Sequence, residues 1–356
     1  MELSFFKGKT VFITGHTGFK GSWMCQVLMM AGADVVGYAL EPPTNPSLFR
    51  LCGLQEKMTS IYGDVRDLSH LKQAFEDTRP EIVIHMAAQP LVRESYINPV
   101  YTYETNVLGT VNVLECVRLS SSVKSFVNVT TDKVYLNKEW EWGYRENDEL
   151  NGFDPYSNSK SCAELATSSY INSFLKEKGT AVSTVRAGNV IGGGDFAKDR
   201  IIPDCVRAAE AGKEMIVRNP YSVRPYEHVL EPVAAYLMIA QKQYEDQKYS
   251  GNYNIGPEES DCRSTGEIVD LFCRLWKERT GKDMTWKNLH DGGPHEANFL
   301  KLDCSKIKIM FQWHPRWTIE DAVKKTIEWA SVYLDGGDVA QCARQQIKEY
   351  FGSGTF

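Results

Sequence analysis

The chain has 356 residues, of which 42% are hydrophobic and 24% are charged, and its formal net charge is −6. This length predicts a large α/β unit with a smaller lobe, and this balance of residue types excludes a disordered protein. The acidic net charge argues against nonspecific binding to nucleic acid or to an anionic membrane, so an anionic ligand would need a local cluster of arginines.

Cysteine usage and the polar start of the chain bear on its location. Nine scattered cysteines form no Cys-x-x-Cys pair, which indicates reduced thiols and predicts no metal site. The first residues lead straight into a strand, so no signal peptide is expected. No apolar run approaches the ~20 residues that span a bilayer. We therefore expect a soluble, cytoplasmic protein with no membrane partner.

The first half of the chain alternates short apolar strands with helical runs. Predicted strands cover Val11–Thr14, Val35–Leu40, a run ending at Gly63, Ile82–Met86, Ser125–Val129 and Val182–Val185. Predicted helices cover Ser22–Ala31, Val100–Leu119 and Tyr156–Lys178. Gly32 follows the first helix, where a left-handed residue commonly ends a helix. This alternation predicts an α/β fold with a doubly wound, parallel, Rossmann-type sheet.

The pattern becomes less regular after Gly188, where consecutive glycines and several prolines interrupt it. We interpret residues 1–187 as the Rossmann domain and residues 188–356 mainly as a smaller α/β substrate lobe. Short returns to the main sheet are expected within 226–256, near Tyr226–Leu230 and Tyr253–Gly256. Helices near Ser264–Thr280 and Thr318–Leu334 complete the lobe.

A glycine-rich turn lies between the first strand and the first helix, with the spacing Gly-x-x-Gly-x-x-Gly. Glycines allow a tight turn and a close backbone approach, and the helix N-terminus offers free N–H groups to a pyrophosphate. Three glycines often only shape a turn, but this strand–turn–helix setting favours a dinucleotide. The expected contacts in the turn are Gly15, His16, Thr17, Gly18, Phe19 and Gly21.

The end of the second strand selects between NAD and NADP. An acidic residue about 20 residues beyond the glycines usually binds the adenosine ribose, but Ala39 lies near that position and Glu41 comes two residues later. No arginine follows at once to receive a 2′-phosphate, so NAD is preferred. Asp64 is a candidate adenine contact, although capping of the following turn explains it nearly as well. Further expected cofactor contacts are Val65, Ala87, Ala88, Asn106, Tyr156 and Lys160.

Two motifs carry acid–base chemistry. Tyr156 and Lys160 lie one helical turn apart, and because an ammonium stabilises a phenolate, we expect the pKa of Tyr156 to fall from ~10 towards neutrality. Thr131, Asp132 and Lys133 end the fifth strand, where side chains face the ligand crevice of a parallel sheet. Taken alone, capping by Asp132 and solvation of Lys133 explain that pair equally well.

These residues resemble the extended short-chain dehydrogenase/reductase family, over essentially the whole chain. The strand end at Thr131 and Asp132 resembles the nucleotide-sugar 4,6-dehydratases. Four segments are similar to the branch of these enzymes that acts on CDP-glucose: Gly15–Trp23, Glu41–Thr44, Thr131–Tyr135 and Arg224–Val229. Many sugar 4,6-dehydratases have Glu where this chain has Lys133, so a carboxylate base is not carried over to that position.

The resemblance implies a lyase that oxidises a sugar at C4, eliminates water across C5 and C6, and reduces C6 with recycled NAD. Tyr156, aided by Lys160 and Thr131, would take the 4-hydroxyl proton, and protonated Asp132 would release the 6-hydroxyl. Lys133 could be the C5 base only if it is neutral; otherwise it positions Asp132 or the substrate. The alternatives are a nucleotide-sugar 4-epimerase, a dehydratase for another nucleotide hexose, and an inactive NAD-sensing protein.

The resemblance also implies a CDP-hexose as the substrate, and the specificity for cytosine rests on it entirely. A diphosphate needs arginines, and the second half of the chain supplies Arg186, Arg200, Arg207, Arg218 and Arg224. The expected substrate contacts are Gln89, Arg93, Ser95, Asn189, Arg200, Arg224 and, more weakly, His295 with Glu296, which a polar loop would explain as well. Arg224 is the first choice for the pyrophosphate, with Asn189 as a second hydrogen-bonding partner, because the resemblance implies that both are substrate positions.

Family members pair through the helix that carries Tyr-x-x-x-Lys and the helix before the fifth strand, so we expect a homodimer or homotetramer. The apolar residues Val107, Val111, Leu114 and Val117 would suit that contact, and would equally suit packing against the sheet. The family further implies a role in making deoxysugars for bacterial surface polysaccharide such as O-antigen.

Overall fold

The computed structural model describes residues 2–289, 300–352 and 355. The strands of the described residues are β1 (Thr10–Thr14), β2 (Asp34–Ala39), β3 (Thr59–Tyr62), β4 (Ile82–His85), β5 (Ser125–Val129), β6 (Ala181–Ala187), β7 (Asn189–Ile191), β8 (Met215–Val217), β9 (Val223–Arg224), β10 (Tyr226–His228), β11 (Gly251–Ile255), β12 (Arg263–Ser264) and β13 (Trp286–Asn288).

The helices are α1 (Phe19–Met30), α2 (Leu48–Leu51), α3 (Leu68–Thr78), α4 (Val92–Ile97), α5 (Pro99–Tyr103), α6 (Gly109–Leu119), α7 (Pro155–Tyr170), α8 (Lys176–Lys178), α9 (Ile201–Ala211), α10 (Leu230–Glu245), α11 (Thr265–Thr280), α12 (Ser305–Phe311), α13 (Ile319–Leu334) and α14 (Val339–Phe351). A π-helical turn at Glu104–Leu108 joins α5 to α6, and another at Ile171–Leu175 joins α7 to α8. The two long helices predicted before and after β5 are therefore each continuous.

The main sheet has seven parallel strands in the order β3-β2-β1-β4-β5-β6-β11, which confirms the doubly wound fold. The strand order reverses between β1 and β4, and ligands of such sheets bind at the carboxyl ends of the strands beside that reversal. There Thr14 of β1 pairs with His85 of β4, and Thr14 Oγ1 lies 2.7 Å from His85 Nδ1. Gly32 has φ +76°, as expected of the residue that ends α1.

Apolar layers cover both faces of the sheet. One face packs against α1 and α10, and α14 packs on α1 behind them, with Trp23, Leu237 and Ile347 fully buried. The other face packs against α3 and α6, and its core contains Phe75, Leu114 and Val117. Each such side chain contributes about 1.5–3 kcal/mol when it is fully buried. Leu114 and Val117 therefore pack against the sheet, which was one of the two roles predicted for them; the other was a contact between subunits.

The chain leaves the main sheet at Gly188, where a Cβ would lie 2.6 Å from Pro225 Cγ. This close approach lets β7 pair with β10 outside the main sheet, so the expected return near Tyr226–Leu230 is wrong. The second expected return is present, because β11 pairs with β6 at the sheet edge. The pairs β7–β10 and β8–β13, with α9, α11 and α13, build a separate core, and β9 pairs with β12 outside it. Within the described part of the chain, no helix is both long and apolar enough to cross a membrane.

Candidate active site

The glycine turn forms a bare backbone cradle at the N-terminus of α1. Gly15 has φ +79°, which favours glycine, and a Cβ there would lie 2.8 Å from the Ala87 nitrogen. A Cβ at Gly21 would come within 2.2 Å of the Gly15 carbonyl oxygen. Gly18 is the N-cap and supplies no side-chain cap, so the N–H groups of the first turn remain available. The positive end of a helix dipole and these free donors fit a pyrophosphate.

Three other residues of the turn hold it in place. Thr17 Oγ1 donates to the Leu40 carbonyl oxygen (2.9 Å), and half-buried Phe19 begins α1. The imidazole of His16 lies under the turn, with Nε2 2.8 Å from Ser60 Oγ. Burial lowers the pKa of His16 to about 4, so this side chain is a neutral packing group. Its contribution to a cofactor site is therefore limited to its backbone.

The segment after β4 lines the same crevice. The Ala87 N–H donates to Thr14 Oγ1 (3.1 Å), which holds Ala87 and Ala88 beside the glycine turn. Asn106, in the first π-helical turn, accepts the Gln89 N–H (2.8 Å) and donates to Ser159 Oγ (2.9 Å). Asn106 thus ties this segment to α7 and acts through positioning.

The predicted adenosine end is more exposed and already carries ion pairs. Asp64 and Arg66 form a pair at 2.7 Å, and the hydrogen bonds of Arg66 hold the pKa of Asp64 below its usual range despite partial burial. Val65 is buried in the sheet core. Glu41 pairs with Arg50 (2.9 Å). An arginine therefore lies near the end of β2, although its distance along the chain from that strand kept it from being predicted there.

Thr131, Asp132 and Lys133 form one hydrogen-bonded group at the end of β5. The carboxylate of Asp132 is completely buried, and its Oδ1 accepts from Thr131 Oγ1 (2.9 Å) and from Lys133 Nζ (3.0 Å). Oδ2 has no partner among the described residues. Lys133 Nζ also lies 3.4 Å from Asn189 Oδ1, which joins the group to β7. A buried oxygen without a partner is costly unless a ligand or water completes it.

The structure brings Tyr156 to the same group, since the Thr131 hydroxyl and the charges of Asp132 and Arg200 all act on the pKa of its phenol. Burial raises the pKa of Tyr156 to about 12, so the expected fall is wrong for the protein alone. The reason is geometric: Lys160 Nζ donates to the Val129 carbonyl oxygen (3.2 Å), and desolvation of the phenol outweighs the opposing Thr131 hydrogen bond. Burial also lowers the pKa of Lys160 to about 8.

Two of the predicted hexose contacts already make hydrogen bonds within their own loop. Both amide protons of Gln89 are used, by the Leu91 carbonyl oxygen and by Thr102 Oγ1, and Ser95 Oγ donates to the Val92 carbonyl oxygen (2.6 Å). Gln89 and Ser95 therefore stabilise the local loop. Half-buried Arg93 lies on α4. His295 and Glu296 lie outside the described residues.

The five arginines of the second half do not form one clamp. Arg186 is buried and donates to Glu164 at 2.5–3.0 Å, so it belongs to the core. Arg207 pairs with Asp204, and Arg218 pairs with Asp199. Arg200, which precedes α9, pairs with Asp195 (3.0 Å) and is the arginine coupled electrostatically to Tyr156. Arg224 is buried in the β9–β12 pair and donates to the Val223 carbonyl oxygen.

The sequence did not identify a second buried polar group as a functional candidate, although its residues lie in motifs or strands described above. Lys20, on the first turn of α1, donates to the Tyr236 hydroxyl (3.1 Å), and its charge interacts with Glu227 and Asp132. Both carboxyl oxygens of Glu227 have no partner among the described residues. Burial raises the pKa of Glu227 well above its usual range and lowers that of Lys20 to about 8. The sequence did carry a signal for this group, namely a lysine and a glutamate within otherwise apolar elements.

The arrangement combines a dinucleotide cradle with a phenol, a buried carboxyl group and two amines. Together they can take a proton from a hydroxyl and give one to a leaving group. Among the described residues, no cluster of three or more His, Cys, Asp or Glu side chains is placed to hold a metal ion.

Known proteins resemble this chain over its whole length. It is 48% identical to a CDP-glucose 4,6-dehydratase of Salmonella typhimurium, covering 100% of this chain and 99% of the relative. A dTDP-glucose 4,6-dehydratase of Haemophilus influenzae is 26% identical, with 90% and 97% covered. A crystal structure of dTDP-glucose 4,6-dehydratase from Bacillus anthracis in complex with NAD superposes with a TM-score of 0.75 at 22% identity, covering 94% and 100% of the two chains, and shares the fold.

A family model described as GDP-mannose 4,6 dehydratase matches residues 12–326, which span the glycine turn, the end of β5 and the Tyr-x-x-x-Lys motif. The chain therefore belongs to the GDP-mannose 4,6 dehydratase family, within the extended short-chain dehydrogenases/reductases that its motifs resemble.

Proposed function

We propose that this protein converts CDP-glucose to CDP-4-keto-6-deoxyglucose, as a hydro-lyase that uses NAD and regenerates it in each cycle. The observation that carries the proposal is the 48% identity to a CDP-glucose 4,6-dehydratase over the full length of both chains. The buried carboxyl group of Asp132 supports it, because elimination of water needs an acid that exchange of configuration at C4 does not.

The cradle of Gly15, Gly18 and Gly21 would hold the NAD pyrophosphate at the N-terminus of α1, and Lys160 would lie at the nicotinamide end. Bound NAD would supply the acceptor for the C4 hydride and the donor that returns it to C6. The remaining chemistry belongs to the chain. Tyr156 takes the 4-hydroxyl proton, with Thr131 as its hydrogen-bond partner. Positioned groups of this kind contribute about 10²–10⁴-fold each.

Asp132 is the proposed acid for the 6-hydroxyl, and its unpartnered Oδ2 leaves room for that hydroxyl. Lys133 is the proposed base at C5, where the new ketone acidifies the hydrogen. Its Nζ contacts Asp132 Oδ1 at 3.0 Å, which places the amine directly beside the proposed acid. Replacing Lys133 with Met should abolish exchange of the C5 hydrogen with solvent; normal exchange would remove this assignment.

Arg200 is the proposed first contact with the substrate diphosphate, because it is coupled electrostatically to Tyr156. Arg224 and Asn189 remain proposed partners, and Asn189 is linked to the site through Lys133.

The decisive experiment offers CDP-, UDP-, GDP- and dTDP-glucose in parallel to the purified protein. The proposal expects a 4-keto product, which absorbs in alkali, with the highest kcat/KM for CDP-glucose. A C4 epimer would identify a 4-epimerase instead. Binding of NAD without turnover of any of the four would identify an inactive NAD-sensing protein.

We also propose a homodimer through the long helices. Exposed apolar side chains follow them, at Ile97 (72% exposed), Val100 (69%), Leu108 (55%), Leu165 (58%) and Phe174 (45%). Light scattering should find a dimer that Leu108→Glu with Leu165→Glu dissociates. Ile309→Glu, on α12 and 78% exposed, should leave the dimer intact.

A further inference from the structure

His85, the last residue of β4, lies at the reversal of strand order and is completely buried, but the acid–base group does not include it. Its two ring nitrogens each face a threonine hydroxyl: Nδ1 lies 2.7 Å from Thr14 Oγ1, and Nε2 lies 3.0 Å from Thr110 Oγ1. Both threonines are buried as well, so bulk water does not compete for these contacts. The imidazole is therefore held at both nitrogens, and the groups around it define where its proton lies.

On the side of β1, His85 fixes the threonine that holds the segment after β4. Thr14 Oγ1 accepts the N–H groups of Met86 and Ala87, both at 3.1 Å. These two bonds occupy both lone pairs of the hydroxyl oxygen, so its single proton is donated to His85 Nδ1. The Ala87 nitrogen also lies against the glycine turn, 2.8 Å from a Cβ built at Gly15. This arm of the imidazole therefore sets one wall of the cofactor cradle.

On the other side, His85 reaches the π-helical turn at Glu104–Leu108. Thr110 Oγ1 donates its single proton to the Asn106 carbonyl oxygen (2.7 Å), so it accepts from His85 Nε2. Both threonines thus assign the same neutral tautomer, with the proton on Nε2. Burial and the charge of Lys160 lower the pKa of His85 to about 3, which agrees with a neutral ring.

The π-helical turn carries this constraint to the helix that holds Tyr156 and Lys160. Such turns interrupt a regular helix and occur frequently at functional sites. Here Asn106 Nδ2 donates to Ser159 Oγ (2.9 Å), and Ser159 Oγ in turn donates to the Tyr156 carbonyl oxygen (2.7 Å). Ser159 lies between Tyr156 and Lys160 near the start of α7. The second arm of His85 therefore ends on the residues proposed for proton transfer.

We propose that His85 is a positioning residue with two separable tasks. Through Nδ1 it holds the wall of the cofactor cradle at Ala87, and through Nε2 it holds the π-helical turn that orients the start of α7. Because His85 is completely buried, it acts through these neighbours and not by contact with a ligand. The second task rests on the proposed function, whereas the first rests only on the binding of NAD.

Two substitutions separate the tasks, because asparagine and glutamine each reproduce one ring nitrogen of histidine. His85→Asn places an amide oxygen where Nδ1 lies, so it keeps the acceptor for Thr14 and loses the donor to Thr110. His85→Gln places an amide nitrogen where Nε2 lies, so it keeps the donor and loses the acceptor. Each variant leaves a buried polar group without its partner, and both should therefore lower the stability of the fold by a similar amount.

Function should divide between the two variants although stability does not. The dissociation constant of NAD, measured by titration calorimetry, should rise about tenfold in His85→Gln and by less than about threefold in His85→Asn. With CDP-glucose at saturating NAD, kcat should fall about tenfold in His85→Asn and by less than about threefold in His85→Gln. A merely structural histidine would give no such crossing of the two effects.

Hydrogen exchange of the cofactor-free protein, followed by mass spectrometry, measures the same division without substrate. Relative to wild type, His85→Asn should exchange faster within residues 156–160, and His85→Gln within residues 86–89. Thr110→Val removes the acceptor of Nε2 and should reproduce the His85→Asn pattern. The matched control is Thr326→Val, which removes the same kind of bond within α13, from Oγ1 to the Ala322 carbonyl oxygen (2.8 Å), and should change neither segment.

The two-task role is overturned if both His85 variants weaken NAD binding and catalysis to the same extent, if neither variant changes either, or if Thr110→Val matches Thr326→Val. The last comparison decides alone if a His85 variant does not fold. Divided effects on NAD binding and exchange, in a protein whose wild type does not convert CDP-glucose, would support the role of His85 and reject the proposed function. Conversion of CDP-glucose with undivided effects would do the reverse.

Discussion

Two buried polar clusters both take side chains from residues 130–135 and differ in how completely their hydrogen bonds are satisfied. Around Arg186, the guanidinium donates to Glu164, to the Tyr135 hydroxyl (2.7 Å) and to the Glu146 carbonyl oxygen (3.0 Å). The carboxylate of Glu164 also accepts from Thr130 Oγ1. Around Asp132, by contrast, Asp132 Oδ2 and both oxygens of Glu227 have no partner among the described residues.

The difference teaches which of two equally buried charged groups does chemistry. A satisfied network stabilises a unique packing and has no free atom for a ligand. An unsatisfied buried oxygen costs about 1–3 kcal/mol, which a substrate hydroxyl or a bound water can offset. The cluster around Arg186 is therefore assigned to the fold, and the cluster around Asp132 to the reaction.

The largest expected effect is on kcat, and it should distinguish Tyr156 in the cluster around Asp132 from Tyr135 in the cluster around Arg186. Tyr156→Phe removes the proton acceptor and should lower kcat by about 10²–10⁴-fold with little change in stability. Tyr135→Phe breaks hydrogen bonds to Arg186 and Asn254, and should cost about 1–3 kcal/mol of stability while kcat is kept. Product formation and denaturant unfolding of both variants measure this. Equal losses of kcat would erase the distinction between the clusters.

The second prediction tests the structural cluster. Arg186→Met leaves the buried Glu164 carboxylate without its charge partner, and should lower the free energy of unfolding by about 3–5 kcal/mol. The double variant with Glu164→Leu replaces the pair by apolar groups and should recover most of that loss. Chemical denaturation gives both values. A stable Arg186→Met variant with no activity would place Arg186 in the reaction centre instead.

The third prediction concerns Glu227, which burial keeps protonated in the folded protein. The unfolded chain ionises at its ordinary pKa of 4.5, so above that pH the unfolded state binds fewer protons and wild-type stability falls as pH rises towards the raised folded pKa. Glu227→Gln lacks this loss. Its stability relative to wild type should grow with pH, by up to about 1.4 kcal/mol per pH unit.

Thermal unfolding between about pH 5 and pH 8 measures the Glu227 effect, because that window lies above the unfolded pKa. Glu231, whose pKa burial raises to about 7, titrates in both proteins and cancels in the comparison. Identical pH dependence of the two proteins would mean that Glu227 is ionised in the fold.

Local patterns predicted the parts of the site that depend on neighbours in sequence. The glycine turn and the pair Tyr156 and Lys160 are set by spacing within a turn or a helix, and the strand tip at Thr131 follows from the alternation of strands and helices. The expected approach of Lys160 to the phenol did not follow, because its ammonium reaches the Val129 carbonyl oxygen of β5.

Long-range contacts account for the other differences. Arg186 was predicted among the arginines for a diphosphate, but it lies in the buried strand β6 and pairs with Glu164, which is 22 residues away in the chain. The side-chain amide of Gln89 donates to a backbone carbonyl of its own loop, and the sequence did not predict the path of that loop. Lys20 and Glu227 are 207 residues apart in number and meet only through packing of α1 against the lobe, so sequence could mark each as unusual without joining them.

The most direct test of the central claim supplies CDP-glucose with deuterium at C4 and locates the label in the product by NMR. A dehydratase built on Tyr156 and Asp132 should yield a 4-keto sugar with the deuterium at C6, since the hydride that leaves C4 returns there. Deuterium retained at C4 of an epimer, or no label transfer in a protein that binds NAD, would contradict the account.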